Sequence, residues 1–231
     1  ISAPAVRTAV SRMVRQGWLA PVRLPAGPGY ALTPRGTRRL DEAAARIYRT
    51  AEVRWDGRFD LVIVAGPVPR AVRRRLAATL AFQGYGSLGE LTWVAPRPGD
   101  EVDQLLAEAE VAYERLSAGH TGGAVGARHL VHRAWDLPAL AEDYRRFVAA
   151  LRPVVADITG TSPDEHAYAA RCALVHAWRG FLFRDPGLPA DLLPRPWAGT
   201  TAASFFDAHA GRLRPAADRY VDSCLIRSEG P

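Results

Sequence analysis

The sequence predicts an α+β protein in three parts. A basic helix–hairpin–helix unit fills residues 1–50, a small strand-and-helix sandwich residues 55–118, and a helical region residues 127–231. Three observations predict it. An apolar stripe near the start recurs three or four residues apart and is followed by two β-prone runs around a Pro/Gly-rich tip. The middle alternates between strand-like runs and helical stripes. Beyond a Gly-rich stretch, every periodic segment is helical.

The first segment runs from Ile1 to Leu19. Ser2 can cap a helix, and Pro4 is tolerated in the first turn, where its missing N–H has no partner. Val6, Val10, Met13 and Val14 form one apolar stripe. Arg7, Thr8, Ser11, Arg12 and Arg15 lie opposite, all donors and none acidic. Gly17 ends the helix as a left-handed residue, and Trp18-Leu19 re-enters a core. A cationic, hydroxyl-rich helix face suits the major groove, and equally suits a merely solvated amphipathic helix. The next residues decide between them. Ala20–Leu24 and Tyr30–Thr33 read as strands joined by a tip at Pro25–Gly29, and Thr33-Pro34 caps and opens a helix running through Arg38, Leu40 and Ile47. Helix, hairpin and helix are the second half of a winged helix-turn-helix. Ser2, Ala5, Arg7, Thr8, Ser11 and Arg12 are therefore expected to reach base edges, and Arg15 and Arg23 to clamp phosphates. The stripe needs an earlier helix to bury against, so one or two helices are expected before Ile1.

Composition sets the bounds. The 231 residues can hold about two ordinary domains or three small ones. With 48% hydrophobic and 23% charged residues, the chain has the composition of a globular protein. A net charge of +6 and a pI near 9.9 favour an acidic partner. Every Lys/Arg position is Arg, which reflects coding bias at least as much as phosphate recognition. No apolar run approaches the roughly 20 residues of a membrane-spanning helix. Cys172 and Cys224 sit in apolar periodic runs and are expected to be buried thiols in a reducing cytoplasm.

After a turn at Arg54–Gly57, the middle part reads strand, helix, strand, helix, strand. The strands are Phe59–Ala65, Leu91–Ala95 and Val111–Leu116, and the helices Arg70–Phe82 and Asp100–Ala109, with a loop at Gly84–Gly89. This order is that of a ferredoxin-like sandwich. Arg73, Arg74 and Arg75 are either a second phosphate contact or a solvated helix face.

Ser117–Gly126, with four glycines, reads as a flexible loop or linker. Asp136 caps a helix with the stripe Leu140, Tyr144, Phe147 and Leu151. Ser162-Pro-Asp-Glu165 reads as a capping box that opens a helix carrying Tyr168, Cys172, Val175, Trp178 and Leu182, ended by Asp185–Pro189. A last helical segment from Thr200 carries Phe205, Phe206, Leu213, Tyr220 and Val221, interrupted at Pro215.

These segments resemble the PaaX family, repressors of phenylacetic-acid catabolic operons and their relatives. The strongest match is Leu174-Val-His-Ala-Trp-Arg-Gly-Phe-Leu-Phe-Arg-Asp-Pro-Gly-Leu-Pro-Ala-Asp-Leu-Leu-Pro194, followed by Trp197. Val6-Arg-Thr-Ala-Val-Ser-Arg12, Tyr30-Ala-Leu-Thr-Pro-Arg-Gly36, Trp55-Asp-Gly57 and Ala134-Trp-Asp-Leu137 support it. The resemblance implies a winged helix, a central domain similar to the Cas2 ferredoxin-like fold, and a helical C-terminal domain. It further implies a homodimer on palindromic operator DNA, released by an aryl-acyl-CoA such as phenylacetyl-CoA. No other cofactor and no membrane partner are expected.

A CoA thioester wants Arg for its phosphates and an apolar slot for its acyl group. Arg171, His176, Trp178, Arg179 and Arg184, with Phe181, provide both; equally, the rings are core and the arginines pair with Asp185 or its neighbours. His120, His129 and His132 lack the further ligands of a conventional metal set. No nucleophile elbow and no phosphate-cradling loop with its Lys is present. The enzymatic alternative is a Cas2-like nuclease, whose first strand ends in a metal-binding carboxylate. Here that strand ends Val64-Ala65-Gly66, with Asp60 near its beginning, so the domain is expected to be a dimerisation scaffold and the protein no enzyme. A third reading, a CoA-thioester-binding module without DNA contact, leaves the basic face of residues 1–19 without a role.

Overall fold

A computed structural model of the chain describes residues 2–24, 27–38, 40, 54–99 and 102–227. Helix α1 spans Ala3–Arg15 and ends through Gln16 into Gly17 at φ +70°, where Gly carries no Cβ penalty. Ser2 occupies the N-cap position, but its side chain makes no capping bond. The apolar stripe is only partly covered, with Val6 49% and Met13 38% exposed.

Strands β1 (Leu19–Leu24) and β2 (Gly27–Leu32) pair antiparallel, from Leu19 opposite Leu32 to Leu24 opposite Gly27. The expected Pro25–Gly29 tip is thus shorter, because Gly27, Pro28 and Gly29 extend the second strand. Helix α2 opens at Pro34, and residues 34–38 and 40 of it are described. Its expected continuation to Ile47 lies outside the described residues.

Four strands form the central sheet: β3 (Arg58–Ala65), β4 (Gly86–Gly89), β5 (Thr92–Ala95) and β6 (Ala112–Gly119). Their order is β4-β5-β3-β6, every pair antiparallel. The segment 86–89, expected to be a loop, is an edge strand, irregular between Ser87 and Gly89, and too short and Gly-rich to show an apolar period. Helices α3 (Arg70–Phe82) and α4 (Val102–Glu108) cover one face, burying Val62, Val64, Leu76, Leu80, Trp93, Val102 and Leu106.

The opposite face is covered too. Phe59 and Val94 pack with Ala127 and Val131 of α5 (Gly123–Ala134), and with Leu137, Leu188 and Leu192. A strand buried on both faces reads as a continuous apolar run, which is why Phe59–Ala65 shows no alternation. The expected linker at Ser117–Gly126 is accordingly a three-residue turn, since β6 runs to Gly119 and α5 begins at Gly123.

The C-terminal region packs α6 (Leu137–Ala156), α7 (Asp164–Arg179) and α8 (Ala198–Arg227) around rings. Trp178 stacks on Phe206 at 4.8 Å, and Tyr144 on Phe181 at 4.1 Å. Asp136 caps α6, accepting from the Ala139 N–H at 3.0 Å. The expected capping box at Ser162 is not made. Its hydroxyl instead accepts from the Thr159 N–H at 2.9 Å, and Pro163 takes the N-cap position.

Helix α7 ends at Arg179 and tightens into a 3₁₀ turn at Gly180–Phe183. Its buried face is Ala167, Ala170, Leu174 and Trp178; Trp178 lies inward as the stripe implies, while Ala167, Ala170 and Leu174 take the places expected of Tyr168, Cys172 and Val175. Tyr168 is 38% exposed as a result, and Cys172 and Cys224 are exposed free thiols, not core residues. Small Ala side chains allow α7 and α8 to pack closely, a cue weaker than Tyr and Cys in a hydropathy pattern. Helix α8 also continues through Pro215, held on both sides of it by buried Leu213 and Ala217.

Candidate nucleic-acid interface

The residues expected to read DNA are gathered on α1. At 100° per residue, Arg7, Ser11, Arg15, Thr8, Arg12 and Ala5 span an arc of roughly 160°. All six are exposed, as is Ser2 at the helix start. Among the described residues, Arg7, Arg12, Arg15 and Arg23 form no ion pair, so no described carboxylate compensates their charges. The Thr8 hydroxyl donates to the Pro4 carbonyl at 3.0 Å, which leaves its oxygen as an acceptor on the outer face. Arg23 lies on β1, opposite Pro28, and is exposed. The sequence carried a wider signal than α1 alone: seven Arg and no Asp or Glu occur in its first forty residues.

A single threonine holds this surface in shape. Thr33 donates its hydroxyl to the Gly17 carbonyl at 2.6 Å and accepts the Gly36 N–H at 3.0 Å. Its backbone N–H donates to the Trp18 carbonyl at 3.1 Å. The end of α1, the hairpin and the start of α2 are thereby one hydrogen-bonded unit. Gly36 completes it, since a Cβ there would stand 2.2 Å from the Trp18 carbonyl oxygen. Gly36 is thus a site-forming residue that no apolar or charge pattern marks.

The C-terminal cluster is dispersed by the fold. Trp178 and Phe181 are buried in the aromatic core at 3% exposure each. Arg184 pairs with Asp143 at 2.6 Å and lies 5.0 Å over the Phe181 ring. Arg171 reaches the Ala210 carbonyl on α8 at 3.4 Å, while His176 and Arg179 are exposed. Tyr144 donates its hydroxyl to Asp185, and the other Asp185 oxygen accepts the Gly187 N–H at 2.7 Å. These groups tie the aromatic core to the loop that follows it. Of the histidines, His120 accepts the Gly122 N–H on Nδ1 at 3.0 Å, and His129 and His132 are exposed.

A buried polar network crosses the central sheet. Asp60, 7% exposed, accepts Arg115 Nε at 3.1 Å and the Tyr85 hydroxyl. Arg115 also reaches Asp103 at 2.5 Å and the Gly99 carbonyl at 3.1 Å. Burial, followed by the Asp60 hydrogen bond, pushes the Tyr85 hydroxyl up to about 12. No helix among the described residues is long and apolar enough to cross a membrane.

A basic helix face with no ion pair among the described residues, braced on a hairpin, an antiparallel sheet with helices on both faces, and a helical C-terminal region make up a mixed α/β protein. The family described as PaaX-like protein matches residues 1–36, and its PaaX-like protein C-terminal domain matches residues 135–223. The transcriptional repressor PaaX of Escherichia coli is 30% identical over 226 residues, spanning 94% of this chain and 71% of that protein. The chain belongs to the PaaX family. In fold it is similar to an uncharacterized protein of Mycobacterium tuberculosis, Rv0674, with a TM-score of 0.59 and 23% identity over 95% of this chain and 85% of the other.

Proposed function

We propose that the chain is a non-enzymatic, ligand-responsive transcriptional repressor that binds palindromic operator DNA as a homodimer in the cytoplasm. The observation that carries this reading is the exposed Arg7/Ser11/Arg12/Arg15 face of α1, without an ion pair among the described residues and braced by Thr33 on the β1–β2 hairpin. The order helix, hairpin, helix supports a winged helix-turn-helix with α1 in the major groove and the hairpin on the backbone. The order β-α-β-β-α-β, with sheet order β4-β5-β3-β6, supports a ferredoxin-like central domain serving as the dimerisation scaffold. The carboxylate nearest to a Cas2-like metal ligand, Asp60, is spent on Arg115 and Tyr85, which favours a scaffold over a nuclease.

Membership of the PaaX family supports an aryl-acyl-CoA such as phenylacetyl-CoA as effector. Such a ligand weakens DNA affinity only by preferring a dimer geometry that misplaces the two α1 helices. The test is fluorescence anisotropy of the protein on its own upstream intergenic DNA, against a random duplex at equal salt, with and without phenylacetyl-CoA. Specific binding released by the thioester is the expected result. Binding equal to the random duplex would overturn the repressor reading.

A further inference from the structure

We propose that the cleft between the Trp55–Gly57 turn, the start of α5 and the segment Asp191–Arg195 binds an organic anion that joins a phosphate or carboxylate to a flat apolar group. The inference rests on the repressor reading only in naming this ligand the effector; the binding itself is argued from the cleft.

The cleft has a volume of ≈ 720 Å³ and lies where the central sheet meets the helical region. Both its size, within the ~300–1,000 Å³ of small-molecule sites, and its place at a junction of structural units are those of ligand pockets. Its walls are anchored. Arg128 follows Ala127, and Asp191 and Leu193 flank Leu192, both anchors being 0% exposed in the core behind the cleft. Trp55 leans on Phe59 at 5.0 Å and spends its indole N–H on the Arg58 carbonyl at 2.7 Å. The ring therefore lines the cleft in a fixed position, with its N–H already satisfied. Such a preformed site loses little entropy on binding.

The chemistry of the lining selects the ligand. Arg128 and Arg195 are ion-paired with nothing among the described residues, so both guanidiniums can take an anionic group. Asp56 is already engaged by the Arg58 N–H at 2.8 Å. Asp191, the second carboxylate of the lining, suits a hydroxyl or amino donor on the ligand. Two arginines, one indole and two carboxylates, one of them already holding a backbone N–H, form an arginine-and-ring set that the Arg171–Arg184 cluster does not offer. There the indole is sealed in the core and Arg184 is paired.

The experiment is isothermal titration calorimetry on the full chain with phenylacetyl-CoA, coenzyme A and phenylacetate as separate probes. At least one probe binds, and comparison of the three tells whether the nucleotide end or the aryl carboxylate end supplies the anion. Arg128→Ala and Arg195→Ala each weaken that binding about tenfold, the loss of one charge-assisted hydrogen bond. Trp55→Phe removes the fluorescence change on binding while leaving the thermal unfolding curve in place. Arg128→Lys, which keeps the charge and loses the fork, weakens binding at unchanged stability if Arg128→Ala perturbs folding. Wild-type affinity in both Arg128→Lys and Arg195→Ala, no binding of any probe at millimolar concentration, or loss confined to Arg179→Ala would each overturn the proposal. The calorimetry contains no DNA. Binding in the cleft without operator recognition therefore sinks the repressor reading alone, and operator recognition without binding sinks this one alone.

Discussion

Arg115 on β6 donates its Nε–H to both carboxylate oxygens of Asp60 on β3, at 3.1 Å each. The pair lies across neighbouring strands, with side chains 19% and 8% exposed. Its outer members, Asp103 and the Gly99 carbonyl, draw the start of α4 onto the same guanidinium. A charge desolvated to this degree costs several kcal/mol unless matched, so the pair's stability lies in its completeness.

Removing one partner is accordingly worse than removing both. Arg115→Met leaves Asp60 buried and costs about 3–5 kcal/mol in urea unfolding. Asp60→Leu combined with Arg115→Met recovers most of that loss. A double variant as unstable as the sum of the single ones would show that the pair's charges contribute more than their burial costs.

Alkaline stability follows from Tyr85. In the unfolded chain its hydroxyl ionises near the ordinary tyrosine value of 10.0; in the folded chain it holds its proton to about 12. The folded state therefore binds more protons across that window, and stability falls as pH rises from about 10 to about 12. Tyr85→Phe flattens this part of the stability–pH curve. A curve of unchanged slope in that variant would assign the alkaline loss elsewhere.

Gly36→Ala breaks the proposed DNA-facing unit selectively. The added methyl meets the Trp18 carbonyl oxygen at 2.2 Å, and backbone has little freedom to yield. About 1–3 kcal/mol of local stability is lost, and operator affinity with it. The aromatic core, read by near-ultraviolet circular dichroism, keeps its signal.

The two groups of arginines separate by salt dependence. Arg7→Ala and Arg12→Ala each cost about 1–3 kcal/mol on the operator and relax its sequence preference. Arg15→Ala and Arg23→Ala weaken all duplexes alike and lower the salt slope by about one unit each. A change in sequence preference with Arg15→Ala would move that residue to the base-reading group.

Much of this protein is written in local pattern. Arg70–Phe82 is a helix at the bounds its period implies, because a strong 3.6-residue stripe with Leu76 and Leu80 inward needs no distant information. The Asp136 and Thr33 caps are equally local, since donor and acceptor lie three residues apart. The basic face of α1 is legible for the same reason.

Other features depended on partners far along the chain. Residues 86–89 are a strand because β5 offers them an edge. The Gly-rich linker is a tight turn because α5 covers the second face of the sheet. Cys172 and Cys224 lie outward because Ala167 and Ala170, small enough for close helix packing, turn α7 toward α8. Trp178, open in sequence between a ligand slot and the core, lies in the core because Phe206 on α8 stacks on it. Periodicity tells which residues of an element share a face; which face meets which neighbour, and whether an arginine is left free or paired, is settled only when segments 39 to 55 residues apart come into contact.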